Sequence, residues 1–312
     1  MPLKLIRQGE VFNETRPVVV TTGTFDGVHL GHSKILDRLR ERASHFGGVS
    51  VVISFDPHPR RVLFPELPPV SMLSTLNEKM ELLSARGVDY LYLIPFTKEF
   101  SLKTSLEFIE QDIVTNLHPV CLVTGYDHHF GKDRQGNIED LRRSGDGFGF
   151  DVEEIPALDI NHLAVSSSII RTALLAGDVD IAARNLGYDY SLTGRVEKGD
   201  QRGRILGFPT ANLFVEDSHK LIPANGVYAC RAFVDIGEFP CMLNIGRRPT
   251  FNGDEVRLEA HLIGFEGDLY GKKIRISLKR RIREEKRFSG AEELIVQLRE
   301  DRRSALTLLA ES

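Results

Sequence analysis

Partway along this 312-residue chain the hydrophobic pattern changes its period, and that change dictates two different architectures in series. From residue 17 onward, short apolar runs alternate with stretches of helical spacing. VVVTTG (18–23), VSVVISF (49–55), DYLYLI (89–94) and VCLVTG (120–125) read as buried strands, with helices over 31–45, 76–86 and 105–116 between them. Ile35, Leu36, Leu39 and Ala43 mark one helical face. The alternation predicts an α/β domain whose parallel sheet is covered by crossover helices.

Two short helices, 166–176 and 179–186, are predicted next, because Gly177 and Gly187 sit where a left-handed cap would stop them and Asp178 can start the second. The domain boundary is expected near Gly187. Beyond it, LTGRV, GVYACRAFV, PCMLNIG, RLEAHLI and KIRISL are β-rich runs joined by glycine-bearing turns, with no helical period between them. That pattern predicts a small β-barrel. Leu294, Ile295, Leu298, Leu306 and Leu309 give the closing stretch, 289–310, the spacing of an amphipathic helix.

The chemistry implied is that of small anionic ligands. A net charge of −4 supplies no global pull toward nucleic acid or an anionic membrane, so any phosphate must be gripped locally. No run approaches the roughly 20 apolar residues that cross a bilayer. The N-terminal stretch lacks the apolar core of a signal peptide. Cys121, Cys230 and Cys241 form no C-x-x-C pair and leave an odd thiol, so a reducing, cytoplasmic setting is expected. Nothing in the sequence fixes an oligomeric state.

GTFDGVHLGH (23–32) lies where the first of these buried strands hands over to a helix. Gly23, Gly27 and Gly31 remove side chains where the backbone turns sharply and a phosphate can approach, and the helix start favours an anion. His29 and His32 fall about one turn apart, placed to donate to β- and γ-phosphate oxygens as charge develops on departing pyrophosphate. An alternative makes His29, His32, Asp56 and His58 a hydrolytic metal cluster. Neither a Walker-type P-loop nor a G-x-G-x-x-G turn occurs.

In the second half, GRVEKGDQRGRILGFPTANL (194–213) sets Gly194, Gly199, Gly203 and Gly207 around a Pro-Thr-Ala-Asn turn. Thr210 and Asn212 alternate to one side of an extended chain, where a hydroxyl and an amide oxygen suit one hard cation, with Mg²⁺ bridging ATP phosphates the natural candidate. KRRIREEKR (279–287) is the most basic run, but Glu284 and Glu285 interrupt it and no aromatic residue interleaves for base stacking, so a solvated face is expected.

These strings resemble the bacterial bifunctional riboflavin kinase/FMN adenylyltransferase (FAD synthetase) family over nearly the whole chain. G-x-F-D-G-x-H-x-G-H, SFDPHPR (54–60), GYDHHFGKDRQG (125–136) and VSSSIIR (165–171) match the adenylyltransferase half in order. The second glycine-rich stretch, NGVYA, MLNIGRRPTF and LEAHLIGFEGDLYG match the kinase half. The resemblance implies a Rossmann-like nucleotidyltransferase domain at 1–187 and a riboflavin kinase barrel with a terminal helix at 188–312. It implies ATP contacts from Gly23, Phe25, Asp26, Gly27, Gly31, Ser166, Ser167 and Arg171 in front, and from Gly199, Gly203, Gly207, Thr210 and Asn212 behind. Flavin contacts would come from Asp56, His58, Pro59, Asp127 and His129; Mg²⁺ from Thr210, Asn212 and Asp127; catalysis from His29, His32 and the base Glu259. One departure is local: the family loop G-x-D-F-R-F-G carries His128 and His129 here, replacing a permanent charge with a titratable one. Two rival readings are a catalytic front half with the barrel as a flavin- or RNA-binding regulatory module, and a front half acting on another acceptor.

Overall fold

The computed structural model describes residues 2–68, 70–126, 130–132, 136–156, 165–199, 203, 207–250 and 253–311. The first unit is built on six parallel strands: β1 (Lys4–Arg7), β2 (Val18–Thr22), β3 (Val49–Asp56), β4 (Tyr90–Pro95), β5 (Pro119–Gly125) and β6 (Asp151–Ile155), ordered β1-β4-β3-β2-β5-β6. Strand period explains the two cores. Val18, Val20, Val51, Ile53, Tyr92 and Leu122 pack on one face of the sheet; Val19, Val52, Leu91, Cys121 and Val123 pack on the other. The second face is covered by α1 (Leu30–His45) through Leu36, Leu39 and Ala43, and by Leu83 of α3 (Leu76–Ala85), which follows the short α2 (Pro59–Leu63).

Thr75 and Glu78 start α3 with a reciprocal capping box. The expected helix over 105–116 is broken into α5 (Ser105–Glu107), a wide π-type turn at Phe108–Val114 and α6 (Thr115–Leu117), after α4 (Lys98–Ser101). The edge strand β6, which follows α7 (Ile138–Phe148), is held by charge as much as by apolar contact: Glu153 pairs with Arg38 and Arg42, and Glu154 with Arg142.

The second unit begins one residue into α8 (Ser167–Ala176), continues with α9 (Val179–Leu186) and closes an antiparallel barrel in the order β10-β11-β8-β7-β12-β9. Its strands are β7 (Ser191–Glu197), β8 (Ala211–Phe214), β9 (Gly226–Val234), β10 (Gly237–Thr250), β11 (Gly253–Leu262) and β12 (Lys273–Arg283). Alternate residues such as Leu192, Tyr228, Leu243, Ala260 and Ile276 fill the interior. The terminal helix α10 (Ala291–Ala310) lays Ala305 and Leu309 on Ala229, Met242 and Ile263 of the outer face. The Asp301 carboxylate, only 1% exposed, takes the Arg283 guanidinium at 2.8–3.1 Å and locks the helix there.

The compact units divide at Ser167/Ser168, earlier than the boundary expected near Gly187. Both short helices pack with the barrel. The Ala224 amide donates to Leu174 O at 3.0 Å, and Arg281 reaches Ala176 O at 3.4 Å.

Candidate active sites

Going along the sheet, β3 lies on one side of β2 and β5 on the other, so the loop leaving β2 occupies the topological switch point at the carboxyl ends of the strands. Open parallel sheets bind ligands there. The loop reaches α1 through left-handed backbone at Phe25 (φ 45°), Gly27 (φ 78°) and Val28 (φ 39°). That conformation is unfavourable for the two non-glycine residues, and what offsets it lies underneath: Phe25 and Val28 are 2% and 1% exposed, packed in the core. Asp26, also buried, accepts from the Leu73 amide with both oxygens at 3.0 Å and from the Ser74 amide at 3.1 Å. Lys79 of α3, 5% exposed, donates to Thr24 O at 2.8 Å and Ser54 Oγ at 3.3 Å. Burial lowers the Lys79 pKa, against the pull of Asp26 and Asp56.

These contacts narrow the amide grip expected from the glycines. The Gly23 amide completes the sheet to Ile53 O, and the Gly27 amide bonds Ser74 Oγ at 3.0 Å. Gly23 and Gly27 therefore shape the loop rather than present N–H groups: a Cβ at Gly23 would stand 3.1 Å from the Phe25 ring, and Gly27 supplies a positive φ. The Asp26 carboxylate likewise turns inward as an anchor instead of toward a ligand. Ser167 donates its hydroxyl to Asp26 O at 3.1 Å, so that proton is already engaged within the protein.

What the loop does present is a pair of imidazoles. His29 caps α1, its Nδ1 accepting from the His32 amide at 3.3 Å, which puts the neutral ring's proton on Nε2. The His32 ring stacks on it with centroids 3.6 Å apart and planes at 16°. Burial, then His29 and Lys79, hold the His32 pKa well below its ordinary value, so the ring is uncharged at neutral pH. Its Nδ1 is buried without a hydrogen-bond partner, a polar atom that a ligand oxygen or water would satisfy. Gly31 permits the arrangement, since a Cβ there would lie 3.1 Å from the His29 ring.

The other front residues have mixed placements. Asp56 is exposed at the end of β3; His58 caps α2 by accepting from the Arg60 amide at 3.2 Å, and Pro59 opens that helix. Ser166 precedes α8, and Arg171 lies on α8, half-buried. Asp127, His128 and His129 lie outside the described residues. Among the described residues no three His, Cys, Asp or Glu side chains gather to hold a metal, so His29, His32, Asp56 and His58 do not form the alternative cluster.

The barrel site is laid out by strand register. Asn212 of β8 stands opposite Glu197 of β7 on one side and Glu259 of β11 on the other, and Glu259 stands opposite Asn244 of β10. Directly paired residues share a face, and this is the outer one, which Met242 and His261 also occupy against Phe208 and α10. Among the described residues no hydrogen bond or ion pair engages the Thr210, Asn212, Asn244 or Glu259 side chains. Half-buried polar groups gathered this way form an unsatisfied set: hydroxyl, amide and carboxylate.

Glycines again fix the shape. A Cβ at Gly199 would overlap the Asn212 amide, and one at Gly203 would overlap Phe208 O and stand 3.3 Å from Thr210 Oγ1. Gly207 meets nothing but needs its φ of 80°. The basic run is largely consumed in structure: Lys279 pairs with Asp189 at 2.7 Å, Arg283 with Asp301 at 2.8 Å and Lys286 with Glu293 at 3.1 Å. Sequence reasoning missed Lys79, Ser74, Asn244, Glu197 and His261; only His261 carried a signal, two residues beyond Glu259 and hence on its face.

A parallel sheet with paired imidazoles beyond its switch point, in series with a barrel that carries an unsatisfied polar face, has the layout of a two-domain transferase. Comparison with known families gives the particular class: residues 11–169 match the FAD synthetase family and residues 186–309 the riboflavin kinase family. A bifunctional riboflavin kinase/FMN adenylyltransferase of Pseudomonas fluorescens is 38% identical over 96% of this chain and 95% of its own, and that of Escherichia coli is 35% identical over 92% and 91%. The chain belongs to the bifunctional riboflavin kinase/FMN adenylyltransferase family. A Streptococcus pneumoniae crystal structure described as a macrolide-efflux protein has the same fold, with TM-score 0.88, 29% identity and coverage of 97% of this chain and 99% of that one. Among the described residues no helix is long and apolar enough to cross a membrane.

Proposed function

We infer that the barrel unit phosphorylates riboflavin with ATP to give FMN and ADP, and that the parallel-sheet unit transfers AMP from a second ATP to FMN, giving FAD and pyrophosphate. The boundary between the two activities is proposed to fall within 170–185, between the matched families and short of the barrel.

The observation that carries the kinase assignment is the direct pairing of Glu259 with Asn212 on an open face beside Thr210. Glu259 would accept the proton of the riboflavin 5′-hydroxyl as its oxygen bonds the γ-phosphorus and ADP leaves. Thr210 Oγ1 and Asn212 Oδ1 are hard oxygen donors without other partners among the described residues, and they fit Mg²⁺. Bound there, the ion supplies charge neutralisation to the phosphates. Gly199 and Gly203 keep room for the two donors.

In the front unit the FMN phosphate oxygen attacks the α-phosphorus, and His29 Nε2–H and His32 donate to the departing pyrophosphate. Two neutral rings suit this role, because stacked cations would repel one another before any substrate arrived. Ser166, Ser167 and Arg171 are proposed to line the triphosphate, Ser167 after exchanging its bond to Asp26 O; Asp56, His58, Pro59, Asp127 and His129 to meet the flavin; and Asp127 to assist Mg²⁺. A cytoplasmic setting is supported by Cys121, Cys230 and Cys241, all buried free thiols. The partners proposed are small molecules alone, without nucleic acid or membrane.

The test is a time course with riboflavin, ATP and Mg²⁺, resolved by chromatography. FMN should appear first and FAD after it. FMN without FAD would contradict the front assignment, and neither product would contradict both.

A further inference from the structure

His261 has no part in the proposed transfer itself, yet on the kinase face it is held by both a hydrogen bond and a ring contact. It lies on β11 two residues beyond Glu259, is 9% exposed, and packs edge-on against Phe208 with centroids 5.3 Å apart. Its Nδ1 lies 2.8 Å from Pro209 O. A carbonyl oxygen only accepts, so Nδ1 carries the proton and the tautomer is fixed. Pro209 has no amide hydrogen of its own, and its carbonyl belongs to the peptide that leads directly into Thr210. Immobilising that peptide plane holds the backbone that enters Thr210, and with it the point from which the hydroxyl projects.

The surroundings make this contact the natural fixing point of the turn. On one side Phe208 is anchored in the apolar cluster with Met242, Ile263, Ala305 and Leu309, its amide bonded to Gly203 O at 2.8 Å. On the other, Asn212 is set by the β8–β11 register. Between these two anchors, the peptide carrying Thr210 is tied by the imidazole. Burial lowers the His261 pKa, which keeps the ring in the neutral form that this geometry uses.

Building on the kinase assignment, we propose that His261 is a positioning residue of the barrel site: its Nδ1–H fixes the Pro209–Thr210 peptide and thereby aims the Thr210 hydroxyl at the ATP phosphates. Strand β11 then carries both the base, Glu259, and the residue that orients the phosphate side opposite it.

The geometry distinguishes the two ring nitrogens, and so does the test. Asparagine places its amide nitrogen near the Nδ1 position, whereas glutamine reaches toward Nε2. Riboflavin phosphorylation by His261→Asn, His261→Gln and His261→Leu is to be measured in the full-length enzyme, with FMN adenylylation in the same preparations. His261→Asn should stay within about threefold of wild type, while the Gln and Leu variants should lose about tenfold or more in kcat/KM for ATP, the cost of a buried carbonyl left without its donor. The loss should appear in KM for ATP rather than for riboflavin, and adenylylation should be unchanged. Asn and Gln variants that behave alike, or a loss borne by riboflavin KM, would overturn the proposal; that comparison decides even if the Leu variant does not fold. Absence of kinase activity in the wild type would instead strike the functional assignment beneath it.

Discussion

The two proposed sites have opposite construction for the same task, holding a polyphosphate beside a flavin. In the parallel-sheet unit the imidazole pair sits at the start of α1, behind a loop whose left-handed residues are tied down from below by Asp26, Ser74 and Lys79. In the barrel the polar residues stand on the strands, and register alone aligns Glu197, Asn212, Glu259 and Asn244. One site depends on buried anchors remote in sequence. The other depends on glycines that keep neighbouring side chains clear. Damage to the two should therefore look different: loss of local stability in front, loss of placement without loss of fold behind.

The largest effect is expected from replacing both His29 and His32 by Ala. Removing two donors to the leaving pyrophosphate should cut FAD formation from supplied FMN by about 10³-fold or more, while riboflavin is still converted to FMN. Chromatography of both reactions checks this, and a parallel fall in FMN formation would mean that the sites are not separate. Next comes Gly199→Ala. The new methyl must displace the Asn212 amide, and misplacement on the scale of 1 Å costs about 10²-fold in a positioned reaction. Kinase activity should fall to that extent with the unfolding midpoint of the barrel nearly unmoved; an unaffected kinase would remove Asn212 from the site.

Asp26→Ala tests the other construction. It leaves the Leu73 and Ser74 amides without their acceptor, and the parallel-sheet unit should lose about 2–4 kcal/mol in denaturant unfolding. The barrel transition and kinase activity should not change. If instead stability held and only ATP affinity fell, Asp26 would be a ligand contact and not an anchor.

How much of this contrast is legible in the sequence follows from what each feature depends on. Long buried strands such as Val18–Thr22 and Val49–Asp56 declare themselves as apolar runs, and the barrel strands by their glycine-bounded spacing. The edge strands Lys4–Arg7 and Asp151–Ile155 do not, because their composition is that of a surface and the second is held to the covering helices partly by ion pairs. The helix over 105–116 hides its π-type turn, since a one-residue widening leaves the apolar spacing almost intact. Among the candidate site residues, the histidine pair and the Pro-Thr-Ala-Asn turn stand out by local spacing. Asp26 reads as a ligand group in the sequence because the amides its carboxylate accepts from, those of Leu73 and Ser74, come from a distant loop. Lys79 resembled any solvated helix lysine, and burial is a property of the fold, not of the residue. The compact-unit boundary ahead of α8 and α9 is hidden from the sequence for the same reason: the contacts that tie these helices to Ala224 and Arg281 are long-range.

The smallest expected effect is a pH dependence confined to the front unit. Unfolded, the His32 ring takes a proton near pH 6.5; folded, burial beside His29 and Lys79 delays that to well below. Its contribution is complete above about pH 6.5 and is lost as pH falls toward the folded pKa, with a slope of at most about 1.4 kcal/mol per pH unit. Denaturant unfolding of the wild type should weaken over that range more steeply than that of His32→Gln; equal slopes would mean that His32 is not held uncharged.

Glu259→Gln offers the most direct test that one chain carries two independent transfers. Given riboflavin and ATP, the variant should form FMN about 10²- to 10⁴-fold more slowly, the usual range for a missing general base. Given FMN and ATP, it should form FAD at the wild-type rate. Unchanged riboflavin phosphorylation, or an equal fall in both reactions, would contradict the assignment of the two chemistries to two sites.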